Sequence, residues 1–309
     1  MLLVLGTSAS IRAASDPIAK RIERIEAGLP PAIVMASPSR ERFRLEERMR
    51  FYKTPGVSVA VINHGVIEWA RGYGVREAGT THPVTTETTF QAASISKAVT
   101  AMVALRLVEI QNARAGKSTN VLSRAMTEQM LTRQSANWGL GLGLDGDGPA
   151  ARFFHSGSVG GFECNLESFA ETGQGAVVMT SRSQGWRLAR EILWSIAREY
   201  EWPNYPYRPE VKAVAKVNAP TLAQYAGRYQ LDPAIAPGVT LIISAEKGRL
   251  FAQTANEPGR NELFPLSETK FFALEDVLEV TFVRDASDVT EMVSNQSWRA
   301  RKIQEKKMP

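Results

Sequence analysis

One stretch of the sequence predicts a helix that is apolar on nearly every side. Residues 91–113 place apolar side chains all around the helical period, including Val99, Met102, Val103 and Leu105. A helix on a protein surface keeps a polar face, so a helix without one is normally surrounded by the rest of its domain. The sequence therefore predicts a domain that packs around residues 91–113.

Strand patterns lie on both sides of this helix. Residues 55–75 alternate in polarity before and after Asn63-His64-Gly65, which predicts a β-hairpin. Further strand patterns occupy 137–148, 152–170 and 173–183, and a helical pattern follows at 185–200. We therefore expect an α+β domain over residues 16–205, with an antiparallel sheet and flanking helices.

The pattern changes after residue 205. Residues 206–219 are interpreted as a linker, since prolines and aromatic residues cluster at its start. Residues 220–309 contain short strand patterns separated by turn residues, with a helical pattern only near 222–229. This segment is predicted to be a small all-β, barrel-like domain.

The start of the long helix holds a serine and a lysine three positions apart, Ser94 and Lys97. This spacing puts both side chains on one helix face, and apolar surroundings would disfavour the charged form of the ammonium. A serine beside such a lysine has the chemistry of a nucleophile with its own base. The plainer interpretation is a helix-capping serine and a lysine that reaches solvent.

Ser-x-x-Lys occurs twice more in the sequence, so the pattern alone is weak evidence for a catalytic site. Ser244/Lys247 and Ser267/Lys270 fall at turns of the predicted all-β domain. Only Ser94 begins a long apolar helix, where the helix dipole favours negative charge. Position therefore selects Ser94 and Lys97 as the candidate catalytic pair.

Composition narrows the classes of function. The 37 Lys and Arg residues interleave with 32 Asp and Glu residues, so the net charge of +5 does not predict a nucleic-acid partner. Cys164 is the single cysteine, and His64, His82 and His155 are scattered. No metal site and no cofactor are predicted.

The first residues bear on localisation. Residues 1–15, MLLVLGTSASIRAAS, resemble the end of a secretory signal peptide, with a short apolar run followed by small residues. They predict a periplasmic or secreted protein, and without such a signal the protein would be cytoplasmic. No other run reaches the roughly 18 apolar residues of a transmembrane helix, so no integral membrane segment is predicted.

Glycine-rich residues between the helix and the later strands are open to a different interpretation. Gly141, Gly143 and Gly146 fit G-x-G-x-x-G, but they alternate with leucines and no helix follows. They are interpreted as part of a strand and its turn, and not as a phosphate-binding loop.

Several of these segments resemble one family. TTFQAASISKAVTAM, residues 88–102, resembles the first motif of the serine β-lactamase-like and penicillin-binding-protein-like hydrolases, especially class C β-lactamases, D-aminopeptidases and family VIII carboxylesterases. The hairpin at 55–75 and the strands at 153–183 are similar to that family's sheet. The resemblance spans roughly residues 40–200, and residues 220–300 resemble the lipocalin-like domain often appended to such enzymes.

The resemblance implies roles for individual residues. Ser94 would be the acylated nucleophile and Lys97 its proton acceptor. His155, Ser156 and Gly157 stand where other members have Lys-Thr-Gly or His-x-Gly, and they would line the substrate pocket. The backbone N–H groups of Ser94 and Ser158 would form the oxyanion hole. The plainer interpretation of His155 is a half-buried strand histidine.

One family motif is missing. A Tyr-x-Asn motif normally lies between the first and third motifs, but the 155 − 94 = 61 positions from Ser94 to His155 include no tyrosine. Residues 110–132 resemble the segment just before the third motif, so the tyrosine-bearing helical subdomain is predicted to be deleted near 105–110. The formal Ser-x-Asn match at 118–120 is interpreted as coincidence.

Two classes of function follow. The first is a serine hydrolase that acts through an acyl-enzyme on a small ester, a β-lactam or a D-amino-acid peptide, with reduced activity. The second is a non-catalytic relative that keeps the pocket as a binding module.

Overall fold

The computed structural model describes residues 16–35, 41–99, 124–255, 259–275, 278–285, 288–295 and 298–303. The chain divides into two compact units. The sheet unit comprises Met1–Pro30 and Glu41–Tyr207, and the barrel unit comprises Pro31–Arg40 and Arg208–Pro309.

The described elements of the first two thirds of the chain are, in order, α1 (Asp16–Glu26), β1 (Ile33–Met35), α2 (Leu45–Phe51), β2 (Gly56–Asn63), β3 (Val66–Gly74), a 3-10 helix (Ala93–Ile95), α3 (Arg124–Met130), β4 (Gly143–Asp145), a 3-10 helix (Gly148–Ala150), β5 (Arg152–Val159), β6 (Phe162–Phe169), β7 (Gly175–Thr180) and α4 (Trp186–Glu199). The remaining elements are β8 (Glu210–Lys212), α5 (Ala219–Tyr225), β9 (Gly227–Leu231), β10 (Thr240–Glu246), β11 (Arg249–Thr254), β12 (Asn261–Pro265), β13 (Lys270–Ala273), β14 (Glu279–Asp285), β15 (Asp288–Ser294) and β16 (Arg299–Ile303).

The sheet unit is built on a six-stranded antiparallel sheet in the order β3-β2-β7-β6-β5-β4. The predicted hairpin is confirmed, because β2 and β3 are joined by His64 and Gly65 with φ values of 50° and 74°. Val57, Val59 and Val61 alternate along β2 and pack with α1 and α4 in the main core of this unit.

The two faces of this sheet have different neighbours. Cross-strand partners share a face, so Gly157, its partner Cys164 and the next partner Met179 point the same way. Val178 points the opposite way and belongs to the core that contains α4. The Gly157 face of β5 and β6 contacts instead the 3-10 helix at Ala93–Ile95.

The prediction of a helix buried on all sides is wrong for its described part. Residues 96–99 are α-helical, but Lys97 is exposed and Val99 is 51% exposed. Only Ala98 is buried, in a small cluster with Met130 and Leu142. One face of this helical turn therefore packs on the protein and the opposite face meets solvent. The rest of the predicted helix, the predicted deletion near 105–110 and the match at 118–120 lie outside the described residues.

The barrel unit contains a closed eight-stranded barrel in the order β10-β11-β12-β13-β14-β15-β16-β9. Pairing of β9 with β10 and with β16 closes it, with Leu231 opposite Ala300. Its core combines aliphatic and aromatic side chains, and Tyr225 of α5 stacks on Phe282 with ring centroids 4.3 Å apart. The predicted fold class is confirmed: an α+β antiparallel sheet with flanking helices is followed by a small all-β barrel.

One pairing in the barrel unit has no counterpart in the sequence prediction. β1 and β8 form a parallel two-stranded sheet, with Val34 opposite Val211. The segment interpreted as a linker, 206–219, therefore includes a strand. Strands of three residues are too short to show an alternating pattern.

Candidate functional site

Ser94 and Lys97 meet at the start of the helical segment. Ser94 lies in the 3-10 helix Ala93–Ile95, and Lys97 follows one turn later. The Lys97 Nζ lies 2.6 Å from the Ser94 Oγ, so a proton can pass between them directly. Lys97 is exposed and Ser94 is half-buried, which leaves the pair open to solvent and to a substrate.

The backbone before Ser94 is in an unusual conformation. Ala93 has a φ of 45°, in the left-handed region that residues with a Cβ seldom adopt. The Ala92 carbonyl accepts a hydrogen bond from the Ile95 N–H at 3.1 Å and another from the Cys164 thiol at 3.0 Å. Residues held in such conformations often cluster at active sites, where the surrounding contacts stabilise them.

The sheet approaches this turn through Gly157. A Cβ added to Gly157 would lie against the Ala92 carbonyl oxygen, 2.8 Å from the Cys164 Sγ and 3.0 Å from the Ser94 nitrogen. Only glycine permits β5 to come this close to residues 92–95, here called the nucleophile turn because they hold the candidate nucleophile Ser94. Burial raises the pKa of the Cys164 thiol, so the neutral S–H form that donates to Ala92 is favoured.

A second glycine supports the turn from another side. Gly141 has a φ of 76°, and a Cβ there would lie 2.9 Å from both the Lys97 carbonyl oxygen and the Ala98 Cα. The glycine-rich segment predicted as strand and turn thus packs its backbone against the lysine of the pair. Gly141 and Gly157 together allow two parts of the chain to contact the Ser94–Lys97 segment closely.

His155 shares the strand face of Gly157. Its side chain is buried, and Nδ1 lies 2.5 Å from the Ser156 carbonyl oxygen. Because a carbonyl oxygen can only accept a hydrogen bond, Nδ1 is the protonated ring nitrogen that donates to it. Nε2 is then the ring nitrogen that points away from this carbonyl. The Trp138 ring contacts the imidazole edge-on, with centroids 5.4 Å apart.

The side chains of Ser156 and Ser158 lie on the other face of β5. Side chains alternate along a strand, and the Ser158 Oγ donates to Glu163 Oε1 at 2.9 Å on the face opposite Gly157. The structure therefore brings Ser94, Lys97 and Gly157 together, with His155 on the same face, and directs both serine side chains away. The predicted role of Ser158 concerns its backbone N–H, in the residue next to Gly157.

The tyrosines after the sheet lie far from the pair. Tyr205 packs on Phe169 and stacks under Arg152 at the opposite end of β5, with the guanidinium 5.1 Å from its ring centroid. Arg152 is five residues from Gly157, about 17 Å along a strand. Tyr207 contacts Trp194 of α4. Neither tyrosine takes the place of the missing motif.

The sequence analysis did not predict that Cys164, Gly141 and Trp138 contribute to this site. Each comes from a segment distant in sequence from Ser94, so no local pattern connects them to it. In the described ranges, no group of three His, Cys, Asp or Glu side chains is arranged to hold a metal ion. No helix there has the length and apolarity to cross a membrane.

Family models match two parts of the chain. Residues 44–115, which include Ser94 and Lys97, match the family described as Beta-lactamase. This match relates residues 44–115 of the sheet unit to the β-lactamase family. Residues 211–307 match a family described as Domain of unknown function (DUF3471). A search of curated proteins gave no match.

Solved structures that match this chain in a structural comparison include SurE, SurE with D-Leu, and the octameric penicillin-binding protein homologue from Pyrococcus abyssi. SurE is 14% identical with a TM-score of 0.45, and its complex with D-Leu is 14% identical with a TM-score of 0.43. The Pyrococcus abyssi protein is 13% identical with a TM-score of 0.43. Each alignment covers 83% of this chain and 97–98% of the other.

Proposed function

We propose that this protein is a β-lactamase-related serine hydrolase that acts through an acyl-enzyme. The observation that carries the proposal is the 2.6 Å contact between the Ser94 Oγ and the Lys97 Nζ. A nucleophile within hydrogen-bond reach of a base is the minimum arrangement for covalent catalysis by serine. The match of residues 44–115 to the Beta-lactamase family supports the same chemistry.

The reaction has two steps. In the first, Lys97 in its neutral form accepts the Ser94 proton while Oγ attacks the carbonyl carbon; the tetrahedral adduct then collapses, and the leaving group departs as an anion that takes this proton from Lys97 through solvent. In the second, neutral Lys97 accepts a proton from the water that attacks the acyl-enzyme and returns it to the Ser94 oxygen as the acid is released. The backbone N–H groups of Ser94 and Ser158 are proposed to stabilise the oxyanion in both steps, and His155 and Gly157 to border the substrate.

The proposed substrates are a small ester, a β-lactam or a D-amino-acid peptide. No tyrosine in the described residues is bonded to Ser94 or Lys97, so an amine leaving group would depart without a proton donor from a Tyr-x-Asn motif. General acid help of this kind is typically worth about 10²–10⁴-fold. We therefore propose reduced activity, with amide-type bonds affected most.

The exposure of Lys97 favours one alternative, a non-catalytic binding module. Its Nζ is the donor in the 2.6 Å hydrogen bond to the Ser94 Oγ, an arrangement that can hold the serine side chain in place without removing its proton. In that case the Ser94 pocket would bind a ligand without forming an acyl-enzyme.

Covalent labelling separates the two functions. The full chain is incubated with a fluorophosphonate probe or a fluorescent penicillin, and the labelled peptide is identified by mass spectrometry. We expect a label on Ser94 that Ser94→Ala abolishes and Ser267→Ala leaves unchanged. Absence of labelling in a folded protein, or a label on another serine, would contradict the hydrolase proposal.

A further inference from the structure

Three apolar side chains form a small surface beside the nucleophile turn, here called the apolar rim: Phe90, Val159 and Phe162. Val159 is the cross-strand partner of Phe162, so both lie on the same face of β5 and β6. The Phe90 ring meets the Phe162 ring edge-on, with centroids 6.0 Å apart. Val159 is 39% exposed, and the two rings are half-buried.

The apolar rim adjoins the position of the reacting carbonyl. Val159 is two residues from Gly157 on the same strand face, about 7 Å away. Gly157 is in turn the residue whose added Cβ would lie 3.0 Å from the Ser94 nitrogen. Phe90 precedes Ser94 by four residues and enters the same turn. A group attached to a carbonyl carbon at Ser94 can therefore reach this surface.

This strand face lacks charged side chains. The other described residues of β5 and β6 that share it include His155, Gly157, Cys164 and Leu166. The acidic side chains of β6 lie on the opposite face, where Glu163 accepts from Ser158 and Glu167 pairs with Arg152 at 3.0 Å. Among the described residues, Lys97 is the cation that contacts Ser94, and its Nζ already forms a 2.6 Å hydrogen bond with the Ser94 Oγ.

We propose that the apolar rim is the acyl-group subsite and that the substrate is a neutral ester with a short apolar acyl chain. The proposal rests on the proposed hydrolase function. A methylene group buried on the apolar rim improves binding by up to about fourfold. A carboxylate at the same place loses hydration and meets no cationic side chain on this face of the described strands β5 and β6, so acyl chains that end in a carboxylate are disfavoured.

Two esters of equal acyl length test this specificity in the full chain. p-Nitrophenyl butyrate and p-nitrophenyl hemisuccinate share a leaving group and differ only in a terminal methyl or carboxylate group. We expect kcat/KM to favour the butyrate by tenfold or more. Rates are corrected with a buffer blank, since the succinate carboxylate can attack its own ester.

A positive charge introduced on the apolar rim provides the decisive variant. Val159→Lys should lower the butyrate-to-hemisuccinate ratio at least tenfold, and Val283→Lys, an equally exposed valine of the barrel, should leave it unchanged. A folding defect would reduce both rates together and leave the ratio unchanged.

The outcomes distinguish the two proposals. Hydrolysis with equal kcat/KM for both esters, or with a ratio unchanged by Val159→Lys, would overturn the acyl-group subsite alone. No hydrolysis above that of Ser94→Ala would overturn the hydrolase proposal and this one with it.

Discussion

The sheet unit and the barrel unit use the same four-residue pattern for different purposes. In the sheet unit, Ser94 and Lys97 contact each other through their side chains at 2.6 Å. In the barrel unit, the Ser267 Oγ accepts from the backbone N–H of Lys270 at 3.0 Å, and the Lys270 Nζ pairs with Glu279 at 2.6 Å. The difference shows that Ser-x-x-Lys acquires chemical meaning only from its backbone and its neighbours.

Backbone conformation distinguishes the three Ser-x-x-Lys segments of the chain. On a helical turn, positions three apart share a face, so Ser94 and Lys97 meet without any other group. At the turn before β13, the serine side chain bonds to the backbone and the lysine extends to a carboxylate on β14. The third match is split between β10 and its turn, where Lys247 has a φ of 49°. Of the three matches, only Ser94 and Lys97 in the sheet unit bond to each other through their side chains.

Removal of each lysine is the strongest test of this comparison. Lys97→Ala should reduce ester hydrolysis by about 10²–10⁴-fold, because it removes the proposed base. Lys270→Ala should leave hydrolysis within twofold, since its partner is Glu279 on the barrel. Both are measured as kcat/KM for p-nitrophenyl butyrate.

Lys97→Arg distinguishes a base from a simple positive charge. Arginine keeps the charge but does not give up a proton in proteins, so this variant should be as inactive as Lys97→Ala. Retained activity in Lys97→Arg would show that Lys97 acts by charge alone.

A core substitution tests whether the barrel contributes to the chemistry. Phe282 is fully buried and contacts Tyr225, Tyr229 and Phe271, so Phe282→Ala should destabilise the barrel by about 3–5 kcal/mol. Hydrogen exchange should accelerate in peptides of β9–β16 and remain unchanged in β2–β7. The half-exposed neighbour Val283→Ala provides the matched control.

Hydrolysis by Phe282→Ala is the informative readout. We expect a rate within twofold of the parent chain at a temperature where the barrel stays folded. A loss of more than tenfold under those conditions would mean that the barrel takes part in catalysis.

Sequence reasoning succeeded where the determinants are local. The hairpin at Asn63-His64-Gly65 and the meeting of Ser94 with Lys97 depend on residues within one turn, and periodicity describes such distances. The closure of β16 onto β9 and the contact of the Cys164 thiol with Ala92 join segments about 70 residues apart. No pattern within a single segment contains that information.

The apolar periodicity around Lys97 did not predict its exposure. Apolar residues around Lys97 predicted burial, yet Lys97 is exposed and only Ala98 beside it is buried. Periodicity identifies which residues are apolar, but the partner that covers each face comes from tertiary packing.

The next test concerns the close approach of β5 to the nucleophile turn. Gly157→Ala would press a methyl group against the Ala92 carbonyl and displace Ser94, so hydrolysis should fall by about 10–100-fold. Gly160→Ala is the matched control, because a Cβ there has no atom within 4 Å. Equal activity of the two variants would show that the turn does not depend on Gly157.

The smallest expected effect is on the reactivity of Cys164, which reports whether the turn opens independently of the barrel. Burial raises the pKa of this thiol, so the reactive thiolate is scarcer at a given pH than for a free cysteine. Labelling by a thiol reagent should be slow at pH 8 and should accelerate as pH rises through and beyond the usual thiol range.

Two variants locate the opening motion that labelling requires. Gly157→Ala disturbs the turn that covers Cys164 and should speed labelling several-fold at pH 8. Phe282→Ala should not, because the turn belongs to the sheet unit. Equal acceleration of labelling by Phe282→Ala and Gly157→Ala would contradict this expectation. It would mean that the thiol becomes accessible only when both units unfold, and that the turn does not open independently of the barrel.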